Sequence, residues 1–407
     1  MSPQVNPAFE TFAKIKVVGV GGSGGKAISR MMQHKIHGVE FIGVNTDAQD
    51  LHFSNAPTKV HIGKNLTKGL GAGMNPEIGR QAAEENRDDI QQVLKGADMV
   101  FVTFGLGGGT GSGAGPIIAE AARTVGALTI GVVTKPFSFE GAQRTRIAEE
   151  AWMELRDKVD ALITIPNDKL FSVIDRKTPI LEAFGVVDDV LRHGVQGISD
   201  LITFPGLINV DFADVKAIMK DAGSALMGIG ISQGEDRAIQ AARAAISSPL
   251  LEIAIDGAKG VLFNVSGGED LTMAEINEAA RIITESIDPD AKVIFGAVLN
   301  DKLRKGEVKV TVIATGFGAE DGARPISKKA FSVVEDGLSG QPVVKQNGKS
   351  SFGNGDAMSG ASADVIKNSY AQKQSLEQKK SFFDTILKTQ EEDDTFDIPA
   401  FIRKKVK

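Results

Sequence analysis

Residues 105–115 read GLGGGTGSGAG, seven glycines in eleven positions, directly behind the apolar run Asp98-Met-Val-Phe-Val-Thr-Phe104 and directly ahead of Pro116-Ile-Ile-Ala-Glu-Ala-Ala-Arg123. A strand that empties into glycine and then into a helix-like stretch can wrap backbone N–H groups around anionic oxygens. Glycine suits such a loop because the chain must visit positive φ and let the ligand approach its backbone. The helix start adds unpaired N–H groups and a positive dipole end. Phosphate is the anion that fits. A mobile linker is the alternative reading, and it sits badly in a stretch locked between strand and helix.

Around this unit, the first 210 residues alternate strand-like and helix-like segments. Residues 14–20, 39–45, 98–104, 128–133 and 161–166 are apolar and β-rich, and helical stretches fall at 24–36, 76–95, 114–124 and 140–158. Strands apolar on both faces with helices between them predict an α/β fold with a parallel sheet covered on each side. Its ligand crevice should lie beyond the carboxyl ends of the strands. Residues 179–202 then form a long helix whose stripe is Ile180, Phe184, Val187, Leu191, Val195, Ile198 and Ile202.

The division predicted from this pattern is a flexible segment at 1–11, a nucleotide-binding domain at 12–178, the central helix at 179–203 and a loop with a following helix at 204–223. A smaller α+β domain follows at 224–317, with strands near 225–230, 260–265, 292–298 and 308–314 and helices at 235–247 and 272–286. Periodicity dissolves over 318–395, where Ser, Gly, Lys, Gln and Asn dominate, predicting a disordered linker. Residues 396–407, Phe-Asp-Ile-Pro-Ala-Phe-Ile-Arg-Lys-Lys-Val-Lys, recover apolar anchors beside a basic end and predict a docking peptide.

Composition narrows the function. The chain has 407 residues, 42% apolar and 24% charged, enough for two domains. It lacks cysteine, which excludes disulfide and thiolate chemistry. The net charge of −6 argues against a general nucleic-acid binder. His34, His37, His52, His61 and His193 form no metal-ligand pattern. No signal-peptide profile or membrane-length apolar run is present, which predicts a cytoplasmic protein.

Two familiar phosphate machines compete for the glycines. Gly19-Val-Gly-Gly-Ser-Gly24 satisfies G-x-G-x-x-G after the first strand, and Asp47 closes the second. This favours an NAD-dependent oxidoreductase, but such a domain has no use for the richer loop at 105–115. The Walker pattern fails because Ala27 follows Gly25-Lys26 where Ser or Thr would hold magnesium. Two glycine nests on neighbouring strands suit a nucleotide whose phosphates are clamped between them, and with it phosphoryl transfer or hydrolysis.

Gly107-Gly-Gly-Thr-Gly-Ser-Gly113 resembles the signature of the tubulin/FtsZ superfamily of GTPases. With Gly21-Gly-Ser-Gly-Gly25, Asn45-Thr-Asp47, Pro136-Phe-Ser-Phe-Glu-Gly141, Ile165-Pro-Asn-Asp-Lys-Leu170 and Asn209-Val-Asp-Phe-Ala-Asp-Val215, the pattern is similar to its bacterial cell-division branch. The resemblance covers about 12–317 and the tail. It implies a Rossmann-like GTPase domain joined by a central helix to an α+β domain. It implies a GTPase that forms head-to-tail filaments and a division ring at mid-cell beneath the inner membrane. A non-catalytic GTP-binding relative is the further alternative, opposed by the retained Asp211 and Asp214.

Carried over by motif, Gly21, Gly22, Ser23, Gly24, Gly25 and Lys26 would hold phosphates together with Gly107, Gly108, Gly109, Thr110, Gly111, Ser112 and Gly113. Asn45, Asp47, Pro136, Glu140 and Arg144 would lie on the ribose and phosphate side, and Asn167, Phe184 and Asp188 would form the base pocket. Residues 184 and 188 stand one helical turn apart, where a ring can stack on a purine and a carboxylate can accept guanine's N1–H and amino protons. Core packing is the alternative for Phe184. Asn209, Asp211 and Asp214 would enter the next subunit's site and complete hydrolysis there, as catalytic residues; an ordinary helix cap with first-turn acids is the reading without the resemblance.

GTP and GDP are the implied ligands, with Mg2+ held mainly by phosphates and water, and K+ a further candidate; no protein metal site is expected. Residues 396–407 would bind membrane-tethering and regulatory division proteins, making membrane association indirect. The chain departs from the family at Lys26, usually Asn, and at Val210, usually Leu, and its tail is somewhat more basic.

Overall fold

The computed structural model describes residues 13–36, 38–172, 178–203, 208, 210–247, 255, 257–299 and 303–317, all within one compact unit spanning Met1–Gly318. The expectations for 1–11, 318–395 and 396–407, and for His37 and Asn209, lie outside the described residues.

Six strands follow the first half of the chain: β1 (Ile15–Val20), β2 (Val39–Asn45), β3 (Thr58–His61), β4 (Met99–Gly105), β5 (Leu128–Lys135) and β6 (Ala161–Pro166). They pair in parallel in the order β3-β2-β1-β4-β5-β6. The chain winds outward from β1 in one direction and from β4 in the other, so the reversal point falls between these neighbours, where open α/β sheets bind ligands. Both glycine stretches leave the sheet at this point. Val17, Val18, Phe101 and Val102 are buried, as expected of strands covered on both faces.

The intervening helices are α1 (Gly21–Gln33), α2 (Ala48–Phe53), α3 (Lys64–Thr67), α4 (Pro76–Glu85), α5 (Arg87–Leu94), α6 (Gly109–Thr124) and α7 (Ala142–Arg156). Several differ from expectation. The stretch expected as one helix at 76–95 is broken at Asn86, whose side chain leaves the helical ladder to accept from the Gly63 N–H at 2.9 Å. α7 starts at Ala142 because Gly141 has φ +97, and Ser138–Glu140 is a separate 3₁₀ turn. β3 and α2 were not read from the sequence; both are too short to carry a period.

The larger difference concerns the glycine run. Only residues 106–108 form a turn, and α6 begins at Gly109 rather than 114. A Cβ on Gly113 would lie 1.9 Å from Pro76 O, and one on Gly115 would lie 2.3 Å from the Phe104 ring. Gly79 on α4 faces Gly109 O with the same closeness, 2.4 Å. These glycines let the backbones of α4 and α6 touch and let α6 lie directly on the Phe104 ring of β4.

The central helix α8 spans Ile180–Thr203 and is followed by α9 (Phe212–Met219). Val187, Leu191, Val195 and Ile198 are buried as the stripe predicts, but Phe184 is 45% exposed and leaves the core. The second half adds β7 (Gly223–Gln233), α10 (Arg237–Ile246), β8 (Gly260–Gly267), α11 (Met273–Thr284), β9 (Lys292–Leu299) and β10 (Glu307–Thr315). β10 is antiparallel to both β7 and β8, and β8 is parallel to β9. β7 also pairs in parallel with the start of β6 through Ala161↔Gly223, Leu162↔Ser224 and Ile163↔Ala225. The two parts therefore share one ten-stranded mixed sheet. Gly228 and Gly230 let α10 lie directly on β7, since a Cβ at either would meet a helix carbonyl at 1.9 Å. Among the described residues no helix is long and apolar enough to cross a membrane.

Candidate nucleotide site

At the reversal point, Gly21 takes φ +68 as the chain turns from β1 into α1, and Gly107 takes φ +91 between β4 and α6. The two turns touch: a Cβ on Gly21 would lie 3.3 Å from Gly111 N and from Thr110 Cβ. Gly108 is different, since a Cβ there would meet nothing within 4 Å. Open backbone flanked by two helix N-termini is a cradle for anionic oxygens.

Side chains brace this cradle from behind. Ser23 Oγ accepts from Gly105 N at 2.9 Å, and buried Ser112 Oγ accepts from Gly107 N at 2.9 Å. Ser23 thus ties one glycine stretch to the other and Ser112 braces its own turn, roles for which sequence alone offered no signal. Thr110 shares a 2.6 Å hydrogen bond with Thr46 Oγ1. Asn45 donates to Asp50 Oδ2 at 2.7 Å and accepts from Asp47 N, while Asp47 caps α2 through the N–H groups of Gln49 and Asp50. Thr46 and Asp50 were missed as site neighbours. Asp50 Oδ2 would lie 3.4 Å from a Cβ on Gly22, a proximity no spacing reveals.

Beyond β5, Glu140 accepts from Phe137 N at 2.8 Å and pairs with Arg144 Nη1 at 2.9 Å. The Arg144 stem lies against Gly107, and its Nε is buried without a hydrogen-bond partner. Half-buried Pro136 leads into this turn. Asn167, at the carboxyl end of β6, is 6% exposed and its Oδ1 likewise lacks a partner. Unpartnered buried polar atoms are uncommon and call for an explanation. Here both belong to residues that the family resemblance assigns to nucleotide, and they fit one.

The end expected to take the base is aromatic on one side and acidic on the other. Phe184 meets buried Phe137 edge-on at 5.9 Å, and Phe139 and Phe171 complete the cluster. One turn along α8, Asp188 faces Arg30 of α1 at 3.5 Å. Burial pushes the Asp188 carboxyl up to about 6, the Arg30 guanidinium pulls it back, Asp189 adds to the rise and the Lys26 ammonium lowers it. Exposed Lys26 is thus near enough to Asp188 to be felt by its carboxylate.

The remaining expected residues stand elsewhere. Asp211 is the N-cap of α9: it accepts from Asp214 N at 2.8 Å while Asp214 accepts from Asp211 N at 3.4 Å. The two carboxylates share one helix start, as the spacing of three predicts, and the capping geometry is real. α9 leads into β7, whose first residue pairs with Ala161 at the amino end of β6, whereas the cradle lies at the carboxyl ends of β1 and β4. The helix α6 connects the two poles. Its first turn carries Thr110, and Arg123 in its last turn bonds Asp221, two residues past α9, at 2.9 Å. Sixteen residues at 1.5 Å each make α6 about 24 Å long. The carboxyl end of α9, the helix that Asp211 and Asp214 begin, is thus tied to the end of α6 opposite the cradle. Among the described residues no three His, Asp or Glu side chains form a metal-binding group.

Comparison with known proteins agrees with this geometry. Residues 14–175 match the GTPase domain of the Tubulin/FtsZ family, and residues 223–318 match the C-terminal domain of the FtsZ family. A solved FtsZ dimer from M. jannaschii is 47% identical, with 75% of this chain and 89% of that chain covered and a TM-score of 0.72. A GTPγS-bound protofilament of CetZ2 from Haloferax volcanii shares the fold at 24% identity, with 75% and 94% covered and a TM-score of 0.65. Nothing supports the dinucleotide oxidoreductase that the first glycine loop alone would suggest. The chain is a GTPase that belongs to the FtsZ family.

Proposed function

We propose that this protein assembles head to tail into filaments and hydrolyses GTP to GDP and phosphate at the contacts between subunits. The observation that carries the reading is that the short helix capped by Asp211 and Asp214 is tied, through Asp221, to the end of α6 opposite the phosphate cradle. An acid pair at one pole and an open anion cradle at the other complete each other only between copies, and such a heterologous contact propagates into an open filament.

Residues 12–178 bind the nucleotide. The N–H groups around Gly21–Gly25 and Gly107–Gly109 hold its phosphates, and Thr110 lies at the terminal one. Arg144, held by Glu140, faces the phosphate and ribose side. Phe184 stacks on the base, and Asp188 with Asn167 reads its edge. Segment 204–223 brings Asp211 and Asp214, with Asn209, to the neighbour's γ-phosphate, where the carboxylates orient and polarise water. Mg2+ is held mainly by phosphate oxygens and water; K+ is the second cation to test. Residues 396–407 dock on membrane-tethering division proteins across the 318–395 linker, placing the filament at the division site.

Mixing two inactive variants tests the shared site. Asp214→Ala retains a sound cradle and Thr110→Ala retains sound acids, so co-assembled filaments should recover part of the GTPase activity that each lacks alone. Mixed filaments that stay inactive, with both proteins in the pellet, would refute the composite site.

A further inference from the structure

The far pole of α6 holds an ion-paired joint that the site described above does not use. Arg123 donates to Asp221 Oδ1 at 2.9 Å and lies 3.6 Å from Asp160 Oδ1. Asp160 is 5% exposed, and its other carboxylate oxygen accepts from the Thr129 N–H at 2.8 Å. That carboxylate is thereby anchored to the sheet. Asp221 sits just past α9 in a left-handed conformation, φ +51, which few side chains adopt without a reason. Two residues later Gly223, φ +71, donates its N–H to Asp160 O at 3.0 Å. The chain leaving α9 is thus pinned twice to the Arg123–Asp160 corner. α9 has only eight residues; the Ile208–Ala297 bridge holds the chain before it and buried Val215, Ile218 and Met219 seat its face, so the Arg123 corner fixes its remaining, carboxyl end.

We infer that Arg123 is a positioning residue for hydrolysis: by holding Asp221 at the end of α6, it sets the direction in which α9 presents Asp211 and Asp214 to the neighbouring nucleotide. The inference rests on the composite site proposed above. The side chains of the Arg123–Asp221 pair are 39% and 62% exposed, and an ion pair so exposed contributes little to folding. A shift of about 1 Å in a reacting group, by contrast, can cost up to about a hundredfold in rate. The pair therefore matters for aim far more than for stability.

Four variants and two mixtures test this. Arg123→Ala and Asp221→Asn, the latter keeping a residue that tolerates left-handed backbone, should bind GDP as monomers and reach the scattering threshold like the unaltered protein. Turnover per assembled subunit should fall roughly tenfold in each. The double variant should be no slower than either, because both remove one interaction, and Arg123→Lys should recover most of the rate. Mixed with Thr110→Ala, which brings sound acids, Arg123→Ala should regain activity; mixed with Asp214→Ala it should not. Normal turnover in Arg123→Ala filaments, additive losses in the double variant, or rescue by Asp214→Ala would each overturn the inference. Failure of both single variants to assemble would overturn it too, by making Arg123 an assembly residue. If the unaltered protein turns over at the same rate per subunit at every concentration, the composite site itself falls; if it does not and Arg123→Ala matches it, only the role of Arg123 falls.

Discussion

Asp188→Asn should abolish guanine selectivity and stabilise the empty protein. Asp188 is half-buried with a carboxyl raised from 3.8 to about 6, mainly by burial. A group whose folded value exceeds its unfolded one weakens folding at every pH where it is ionised in both states. The cost grows between about pH 4 and 6 and is constant above. Two units correspond to on the order of 2–3 kcal/mol, which an uncharged amide of the same shape avoids. The carboxylate is retained because guanine offers it two donors. Protonation removes that acceptor, so affinity should fall as pH drops through 6. With a requirement for the ionised form, the apparent Kd should rise about tenfold between pH 7 and pH 5, or about 1.4 kcal/mol.

Calorimetric titration of GDP into both proteins across this range is the assay. Protonation of the nucleotide's own phosphate is common to both and cancels in the ratio of their affinities. That ratio should be large and flat near pH 7.5 and shrink about tenfold by pH 5. A ratio independent of pH, or an Asp188→Asn protein that still prefers GTP to ATP by tenfold, would refute the base-edge role.

Other expectations concern glycines and tail. Gly113→Ala should lower the melting temperature sharply, costing about 2–3 kcal/mol by overpacking against Pro76 O, whereas Gly108→Ala, which meets nothing, should melt normally and weaken GTP binding. Equal melting temperatures for the two variants would contradict the packing role given to Gly113. Deleting 396–407 should leave GTPase activity and filaments in solution unchanged and remove recruitment to adaptor-bearing vesicles. Retained recruitment would place the docking surface on residues 12–317.

The sheet was legible in the sequence because its strands are uninterrupted apolar runs, and α8 because Val187 to Ile198 repeat at helical spacing. What escaped depended on distance across the fold. The glycines of 107–115 look alike in sequence, yet Gly107 and Gly108 shape a cradle while Gly113 and Gly115 let α6 press on α4 and Phe104. Phe184 lies on the apolar stripe of α8, yet it is 45% exposed and meets Phe137 edge-on, a contact across the fold that the period alone could not distinguish from core packing. Ser23 and Ser112 carry the residue type of phosphate ligands and serve as braces. Arg123 had no motif at all; its role depends on a partner 98 positions away.

The most direct test of the account is GTP turnover per subunit measured against protein concentration, with light scattering recorded in the same sample. A site completed by the neighbour's Asp211 and Asp214 predicts specific activity near zero for dilute protein, rising in step with scattering once filaments form, and filaments that persist with a non-hydrolysable analogue while turning over with GTP. Constant specific activity from far below to far above the assembly threshold would show that one chain holds the whole site, and would contradict the mechanism while leaving the fold and the nucleotide in place.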